Sequence, residues 1–516
     1  MAVSERAERA RNKIFEIEDL AQLLDSSYRN NHQKIVHCHG VFDLLHIGHI
    51  RHLENAKKYG DVLVVTVTPD RFVNKGPHRP AFPERLRAEA IAALNCVDFV
   101  TVNKWPLAVE AIRLLRPHYY VKGQDYQDKT KDRTGGIALE EEAVRSVNGE
   151  IVFTDEITFS SSKLINEHLP AFSKEISDYL TDFGRRHPID EIFGFLESAR
   201  QLKVLVVGEA IIDEYQYCEA IGKSSKEPML AVRRLSTEKF AGGILAVGNH
   251  VANFSDSVGL ITMLGAQNSQ EEFIRESLHP KIKATFLLRK DSPTIVKRRF
   301  VEHYFFTKMM ELYEIEDRPL ETSEQEALCR TLEQEVPKYD AVIVVDFGHG
   351  MLSERAVEIL CQKSRFLAVN AQSNAGNVGY QSILKYPRAN YVSLAENEIR
   401  MEARDRQGDL KRMVLDLSRK MKCENIAVTR GSNGCLCYNT SEGFFDVPAF
   451  AGQIVDRMGA GDCFLSVTAL CVARRVAMEV VGFIGNTVGA QAVSVVGHRK
   501  SVDPASLFKH IESLLK

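Results

Sequence analysis

The chain has little net charge to offer a polyanion. Its 516 residues hold 66 Lys and Arg against 69 Asp and Glu, a formal net charge of -3. No domain-wide basic excess is available to release counterions, so no nucleic acid is expected as a partner. Long apolar runs are also missing. Stretches such as Ala341 to Val345 have the length of buried strands. The charged, helix-patterned segment from Met1 to Asn31 reads as neither a secretory signal nor a membrane span, so no membrane partner is expected. The ten cysteines form no regular framework, and they include no Cys-x-x-Cys pair and no zinc-like spacing. Such usage excludes a disulfide scaffold and points to reduced thiols and a cytoplasmic location. Internal repeats and low-complexity tracts are absent too, which leaves an ordinary globular chain, 44% hydrophobic and 26% charged.

What is present is alternation. The chain is too long for one core. From Ile35, β-branched runs alternate with helical ones: Val62 to Thr68, Phe99 to Val102 and Tyr119 to Lys122 read as strands, and Ile47 to Tyr59, Pro83 to Leu94 and Leu107 to Leu115 as helices. That order means a parallel sheet with crossover helices, an α/β class. Residues 1–33 read as an N-terminal helical extension, 34–170 as a first domain, and 171–200 as a polar helical linker. A second, larger α/β domain is expected over 201–516. Its strands include Ala341 to Val345, Phe366 to Asn370, Tyr391 to Ser393 and Ile426 to Thr429, and Met229 to Leu235 and Thr294 to Val301 suggest a smaller sheet.

Two phosphate-handling signatures stand out, one per domain. The first runs from Gly40 through Phe42, Asp43 and His46 to Gly48 and His49, after a strand and at the start of a helix. Ligands of open parallel sheets sit at such places, where free N–H groups and the helix dipole favour phosphate. His46 and His49 are three apart and face one way on the first turn. Two imidazoles can donate to a transferring phosphate without a permanent charge. Alone, a His-x-Gly-His could be surface or cap residues. The full string, which also holds Val41, Leu44, Leu45 and Ile47, points to nucleotidyl transfer.

The second signature is Asp456-Arg457-Met458-Gly459-Ala460-Gly461-Asp462, ahead of an apolar helix. Glycines let the backbone approach an anion, and successive N–H groups at a helix start can hold it. Asp462 at the entrance can accept the proton of a hydroxyl attacking a γ-phosphate. An Asp cap after a Gly-rich turn is the bland alternative, and the whole string favours a kinase.

Residues 34 to 167 resemble the cytidylyltransferase-like nucleotidyltransferases, with a Rossmann-like fold. They are most similar to the adenylyltransferase half of the bifunctional heptose kinase/adenylyltransferases. Lys75-Gly76, Arg85, Val121-Lys122-Gly123 and Ser160-Ser161-Ser162-Lys163 carry the likeness further. By that resemblance His46 and His49 hold the triphosphate, Gly40, Phe42 and Asp43 shape the site, Lys75 and Lys122 supply charge, and Ser161 and Ser162 grip the phosphates. Taken alone, Lys75 reads as a solvated loop lysine and Arg85 as a helix-surface residue.

Residues 199 to 516 resemble the ribokinase-like carbohydrate kinases, again the heptose kinase half of that bifunctional family, though with the two domains in reverse order. The resemblance implies Asp462 as base and Gly459, Ala460 and Gly461 as anion hole. It implies Thr429, Gly431, Gly434 and Asn486 on the nucleotide side, Asp213, Gly242 and Gly243 on the sugar side, and Glu398 near Mg2+. Four places depart from the family pattern. Ala246 stands where the sugar-binding Asn belongs, Asn370-Ala371-Gln372 replaces Asp-Pro-Lys, Ala395 replaces the Asn of Asn-x-x-Glu, and His349 stands at a Lys.

The resemblances imply ATP, with CTP an alternative for the N-terminal domain, together with Mg2+, a sugar or sugar phosphate, and a homodimer. The expected activity is two steps of nucleotide-sugar synthesis. The alternatives are a nucleotidyltransferase acting on a polyol or other phosphate beside a kinase fold of altered or lost activity, and a non-enzymatic sugar-nucleotide sensor.

Overall fold

A computed structural model of the chain describes residues 12–73, 79–124, 136–154, 172–452 and 454–516. Lys75, Ser161 and Ser162, and the helix expected from Ser161 to Glu167, lie outside them. The chain divides into two compact units, residues 1–177 with 512–516, and residues 178–511.

The first unit is built on strands β1 (Ile35–Gly40), β2 (Val62–Val67), β3 (Phe99–Val102), β4 (Tyr119–Gly123) and β5 (Glu150–Thr154). They form one sheet in the order β3-β2-β1-β4-β5, parallel throughout. Every residue of β2 is buried, as a Val-rich strand covered on both faces should be. The order reverses direction at β1 and β4, which opens a crevice at the C-terminal end of β1. The sequence places Gly40 to His49 there. The segment expected as an N-terminal helical extension packs into this unit. The backbone of Phe15 bonds to Val100, and Ile17, Leu20 and Leu24 are buried against Val62, Phe99 and Leu115. Their spacing of three and four is a helix's apolar stripe.

The second unit contains β6 (Lys203–Gly208), β7 (Ala210–Lys223), β8 (Leu230–Gly243), β9 (Ser257–Gln267), β10 (Ile282–Pro293), β11 (Ile295–Glu302), β12 (Thr307–Glu314), β13 (Ala341–Asp346), β14 (Leu367–Ala371), β15 (Tyr391–Ala395), β16 (Asn425–Thr429), β17 (Cys435–Asn439) and β18 (Gly443–Val447). Nine of them make the main sheet, ordered β10-β9-β6-β13-β14-β15-β16-β17-β18, and four make a smaller one, ordered β12-β11-β7-β8. The main sheet is parallel as far as β16, and its last two strands are antiparallel. Glu209 alone separates β6 from β7, and Thr294 alone separates β10 from β11, so chain passes directly from the large sheet into the small one.

The helix Ala460–Ala473 is buried on nearly every side, which explains its almost unbroken apolar sequence. Residues 171–200, expected as a linker, contain the helices Lys174–Arg186 and Ile189–Ser198. Phe183 stacks on Phe483 with ring centroids 4.3 Å apart. Glu479 takes Arg186 Nη2 at 2.7 Å and His187 Nε2 at 3.2 Å. This segment is therefore packed onto the helix Met478–Ala492. All ten cysteines are free thiols, and all but Cys96 are buried.

Candidate active sites

In the first unit, β1 ends at Gly40 and the chain turns into the helix Ile47–Lys57. Phe42 has φ +49, which folds its ring back over Gly40. A Cβ at Gly40 would meet that ring at 3.1 Å. Asp43 is buried and accepts from Arg79 Nη1 at 3.1 Å. Arg87, also buried, ties the turn together by donating to Phe82 O at 2.9 Å, Thr68 O at 2.8 Å and Asp70 Oδ1 at 2.6 Å, and to Val41 O.

His46 caps the helix, with Nδ1 accepting from Gly48 N–H at 3.1 Å. That bond assigns the ring proton to Nε2. Burial lowers the His46 pKa, so the ring is a neutral donor. His49 stacks on it at 3.9 Å between centroids, and the Phe42 ring meets His49 edge-on at 5.3 Å. The two histidines therefore stand together at the mouth of the turn, as their spacing implies.

Lys122 is nearly buried and pairs with Glu140 Oε2 at 2.8 Å, a partner that sequence reasoning missed. Arg85 is exposed, 3.3 Å from Glu89. Behind the site, His37 Nε2 and His39 Nδ1 flank the Thr66 hydroxyl at 2.8 and 2.7 Å. Burial presses the His37 pKa down to about 3, which keeps that ring neutral inside the sheet.

In the second unit a cavity of about 480 Å³ lies between the small sheet and the motif helix. Asp213 of β7, Gly243, Thr429, Glu398, Gly459 and Asp462 all border it. Gly459 has φ +77, a left-handed turn that glycine adopts without strain. No atom lies within 4 Å of where a Cβ on Gly461 would be, so this part of the turn faces open space.

Asp462 is buried, and its Oδ1 accepts from Gln372 Nε2 at 2.6 Å. Burial raises its pKa to about 6, against the opposing pull of His498 and of the Gln372 bond. Asp213 is ion-paired with Arg299, which also donates to Glu311 at 2.6 Å. A Cβ at Gly242 would fall 2.1 Å from the Asp213 carboxylate. Only glycine fits beneath that acid.

The remaining expected residues divide between the cavity and its supports. Ala460 begins the motif helix. Asn486 donates to Val447 O at 3.0 Å and Pro448 O at 2.9 Å. Gly434 packs on the same carbonyl of Val447, and Gly431 opens the turn before it. These three brace the β16–β18 edge.

Glu398 is half-buried, accepting from Ser373 N at 3.0 Å and Ala395 N at 2.7 Å, one bond per oxygen. Burial raises its pKa. Among the described residues no group of three or more His, Cys, Asp or Glu could hold a metal. The described residues therefore do not make a protein cage for Mg2+. His349 does not border the large cavity; it lines a much smaller one with Glu209. Glu209 accepts from the backbone of Phe347 and His349, and burial beside Asp346 lifts its pKa to about 7.

Gln372, Lys297, Arg299 and His498 border the cavity, yet sequence reasoning gave none of them a role. Gln372 was noted only as a departure, and Lys297 and Arg299 fall on alternate positions of one strand. His498 lies outside every motif.

A family profile described as pfkB family carbohydrate kinase matches residues 201–505, and one described as Cytidylyltransferase-like matches residues 37–167. "Bifunctional protein HldE" of Geobacter metallireducens is 35% identical over 169 residues, 32% of this chain and 32% of that protein. The protein of the same name from Aliarcobacter butzleri is 41% identical over 138 residues, 26% of this chain and 28% of its own length. The chain thus spans about a third of the length of the curated relatives it matches. A phosphofructokinase-2 mutant from Escherichia coli superposes with a TM-score of 0.50 at 13% identity, covering 61% of this chain and 100% of its own. The fold is α/β, with a parallel-sheet first unit and a ribokinase-like second unit. Among the described residues no helix is long and apolar enough to cross a membrane.

Proposed function

Because the chain belongs to the pfkB family of carbohydrate kinases, we propose that it is a bifunctional enzyme of nucleotide-sugar synthesis. Its domain over 201–516 phosphorylates a heptose-like sugar with ATP. Its domain over 34–170 transfers a nucleotidyl group, AMP from ATP in preference to CMP from CTP, to a sugar phosphate. The observation that carries the reading is Asp462, a buried carboxylate at a cavity that also presents Asp213 and the Gly459–Gly461 turn.

In the kinase step, Asp462 takes the proton of the acceptor hydroxyl as its oxygen attacks the γ-phosphorus, and the bond to ADP breaks. The N–H groups of Gly459, Ala460 and Gly461 receive the developing phosphate charge. Thr429, Gly431, Gly434 and Asn486 shape the nucleotide side, and Asp213, Gly242 and Gly243 the sugar side. In the nucleotidyl step, an oxygen of the sugar phosphate attacks the α-phosphorus and pyrophosphate leaves. His46 and His49 donate to the triphosphate from the turn formed by Gly40, Phe42 and Asp43. Lys75, Lys122, Ser161 and Ser162 complete that phosphate grip. Mg2+ would accompany the nucleotide and offset phosphate charge, held by phosphate oxygens rather than by a protein cage; Glu398, which borders the cavity, would act on it through water or phosphate. A cytoplasmic homodimer completes this reading.

The test is a matrix of nucleoside triphosphates against sugars and sugar phosphates. Sugar-dependent ADP release should vanish in Asp462→Asn, and sugar-phosphate-dependent pyrophosphate release should vanish in His46→Ala. Retention of either activity in its variant would overturn that half.

One contact favours a second reading. Gln372 donates to Oδ1 of the Asp462 carboxylate, taking one of the lone pairs a base could use and standing where the family pattern has a lysine. In that reading the chain is an ATP- or CTP-using nucleotidyltransferase acting on a polyol or other phosphate, and the kinase fold has lost its activity. Wild-type ADP release that no sugar stimulates would select it.

A further inference from the structure

The cavity of the second unit holds a polar side chain that belongs to no motif. His498 Nε2 lies 3.8 Å from Asp213 Oδ2 and 3.9 Å from Asp462 Oδ2. The ring borders the cavity and covers the phosphate turn, where a Cβ on Gly459 would come within 2.2 Å of it. The loop that carries it is anchored. Gly497 N–H donates to Asp456 Oδ2 at 3.0 Å. Asp456 also accepts from Tyr215 OH at 2.7 Å and from Met458 N–H at 3.1 Å, and pairs with Lys308. The first residue of the Asp456–Asp462 string thus positions His498 beside the last.

Both separations are too long for a direct hydrogen bond. They do allow one oxygen to lie at ordinary bonding distance from the imidazole and from a carboxylate together. Of the other charged and titratable groups around the ring, Arg457 also borders the cavity, and the rest have their own contacts. Arg299 is committed to Asp213 and Glu311. Lys297 lies 5.2 and 5.3 Å from the centroids of the Tyr313 and Phe347 rings. His250, with its centroid 6.2 Å from that of His498, is bound to Cys463 and the backbone of Val502. Glu398 accepts from two backbone N–H groups. Lys297 also acts on both acids through its charge; His498 is the ring that stands 3.8 and 3.9 Å from them.

We propose that His498 is a substrate-positioning residue of the kinase site, seating an acceptor-sugar hydroxyl between Asp213 and Asp462. The inference rests on the kinase reading above and deepens it. His498 also opposes the effect of burial on Asp462, so its removal should raise the pH at which the base becomes available.

The experiment uses the full chain as wild type, His498→Ala, His498→Asn and Asp462→Asn. ADP release is followed with free hexoses, heptoses and their terminal phosphates as probes, between about pH 5 and 9. Binding of the non-hydrolysable analogue AMP-PNP is measured by calorimetry. His498→Ala should raise the sugar KM about tenfold, the size of one lost hydrogen bond. Its acidic limb should move to higher pH, with AMP-PNP affinity unchanged. His498→Asn, which keeps a donor, should recover part of the loss. If His498→Ala fails to bind AMP-PNP it has misfolded, and His498→Asn is then judged by the same sugar KM. Equal sugar KM and equal pH limbs in the wild type and the folded His498 variant would overturn the proposal and leave the kinase reading standing. Sugar-independent ADP release shared by wild type and Asp462→Asn would overturn that reading and this inference together.

Discussion

At the scale of single residues, the second site turns on the protonation of Asp462. Burial holds its carboxyl near 6 rather than at the ordinary 3.8. If Asp462 is the base proposed above, it must be ionised, and kcat for sugar phosphorylation should fall as pH drops through about 6. A pH–rate profile on saturating substrates checks this. The sign for stability is opposite. A raised folded-state pKa favours the protonated, folded form at low pH, and that contribution is lost as pH rises from about 4 to about 6. Asp462→Asn, neutral at every pH, should therefore be more stable than wild type at pH 8 by on the order of 2 kcal/mol. The gain should disappear near pH 4. Urea melts at the two pH values measure it. The first site should respond differently. His46 is a half-buried, neutral donor fixed by Gly48, so His46→Gln, which keeps a donor, should retain more pyrophosphate release than His46→Ala.

At the scale of elements, the strands and helices from Ile35 to Gly123 were legible because a parallel sheet buries both faces of each strand and writes β-branched runs into the chain, whereas the helix Gly136–Ser146 was not read. The turn from Gly40 to His49 was legible for a related reason, since its residues act locally. What could not be read were pairings across distance. Lys122 looked like a phosphate ligand, and nothing near it in sequence announces Glu140. Gln372 looked like a lost lysine, and only the fold brings it to Asp462. Residues 171–200 looked polar and connecting because half of each helix is polar. The other half is an apolar face, which Phe183 lays on Phe483. Phe183→Ala should cost about 3–5 kcal/mol in urea unfolding of the second unit. Arg87→Ala should remove nucleotidyl transfer along with about 3 kcal/mol of stability, since a buried cation's acceptors would be left unpaired.

At the scale of the whole molecule, two phosphate signatures sit in two units that each possess a hydrophobic core. If the chemistry is divided as proposed, single-site damage should stay local. His46→Ala should leave sugar-dependent ADP release at its wild-type rate, and Asp462→Asn should leave pyrophosphate release from a supplied sugar phosphate untouched. Coupled assays of both products on the same preparations decide it. The two-unit organisation was legible because the motifs stand about four hundred residues apart, farther than one core of ordinary size extends.

The small sheet of the second unit leaves the large one with a single residue between β6 and β7 and another between β10 and β11. There is almost no slack in either joint. Asp213 and Arg299 sit a few residues beyond those joints, on the strands that leave them. Any tilt of the small sheet would therefore carry Asp213 and Arg299 with it, so the width of the cavity and the position of its acid are set by the same two joints.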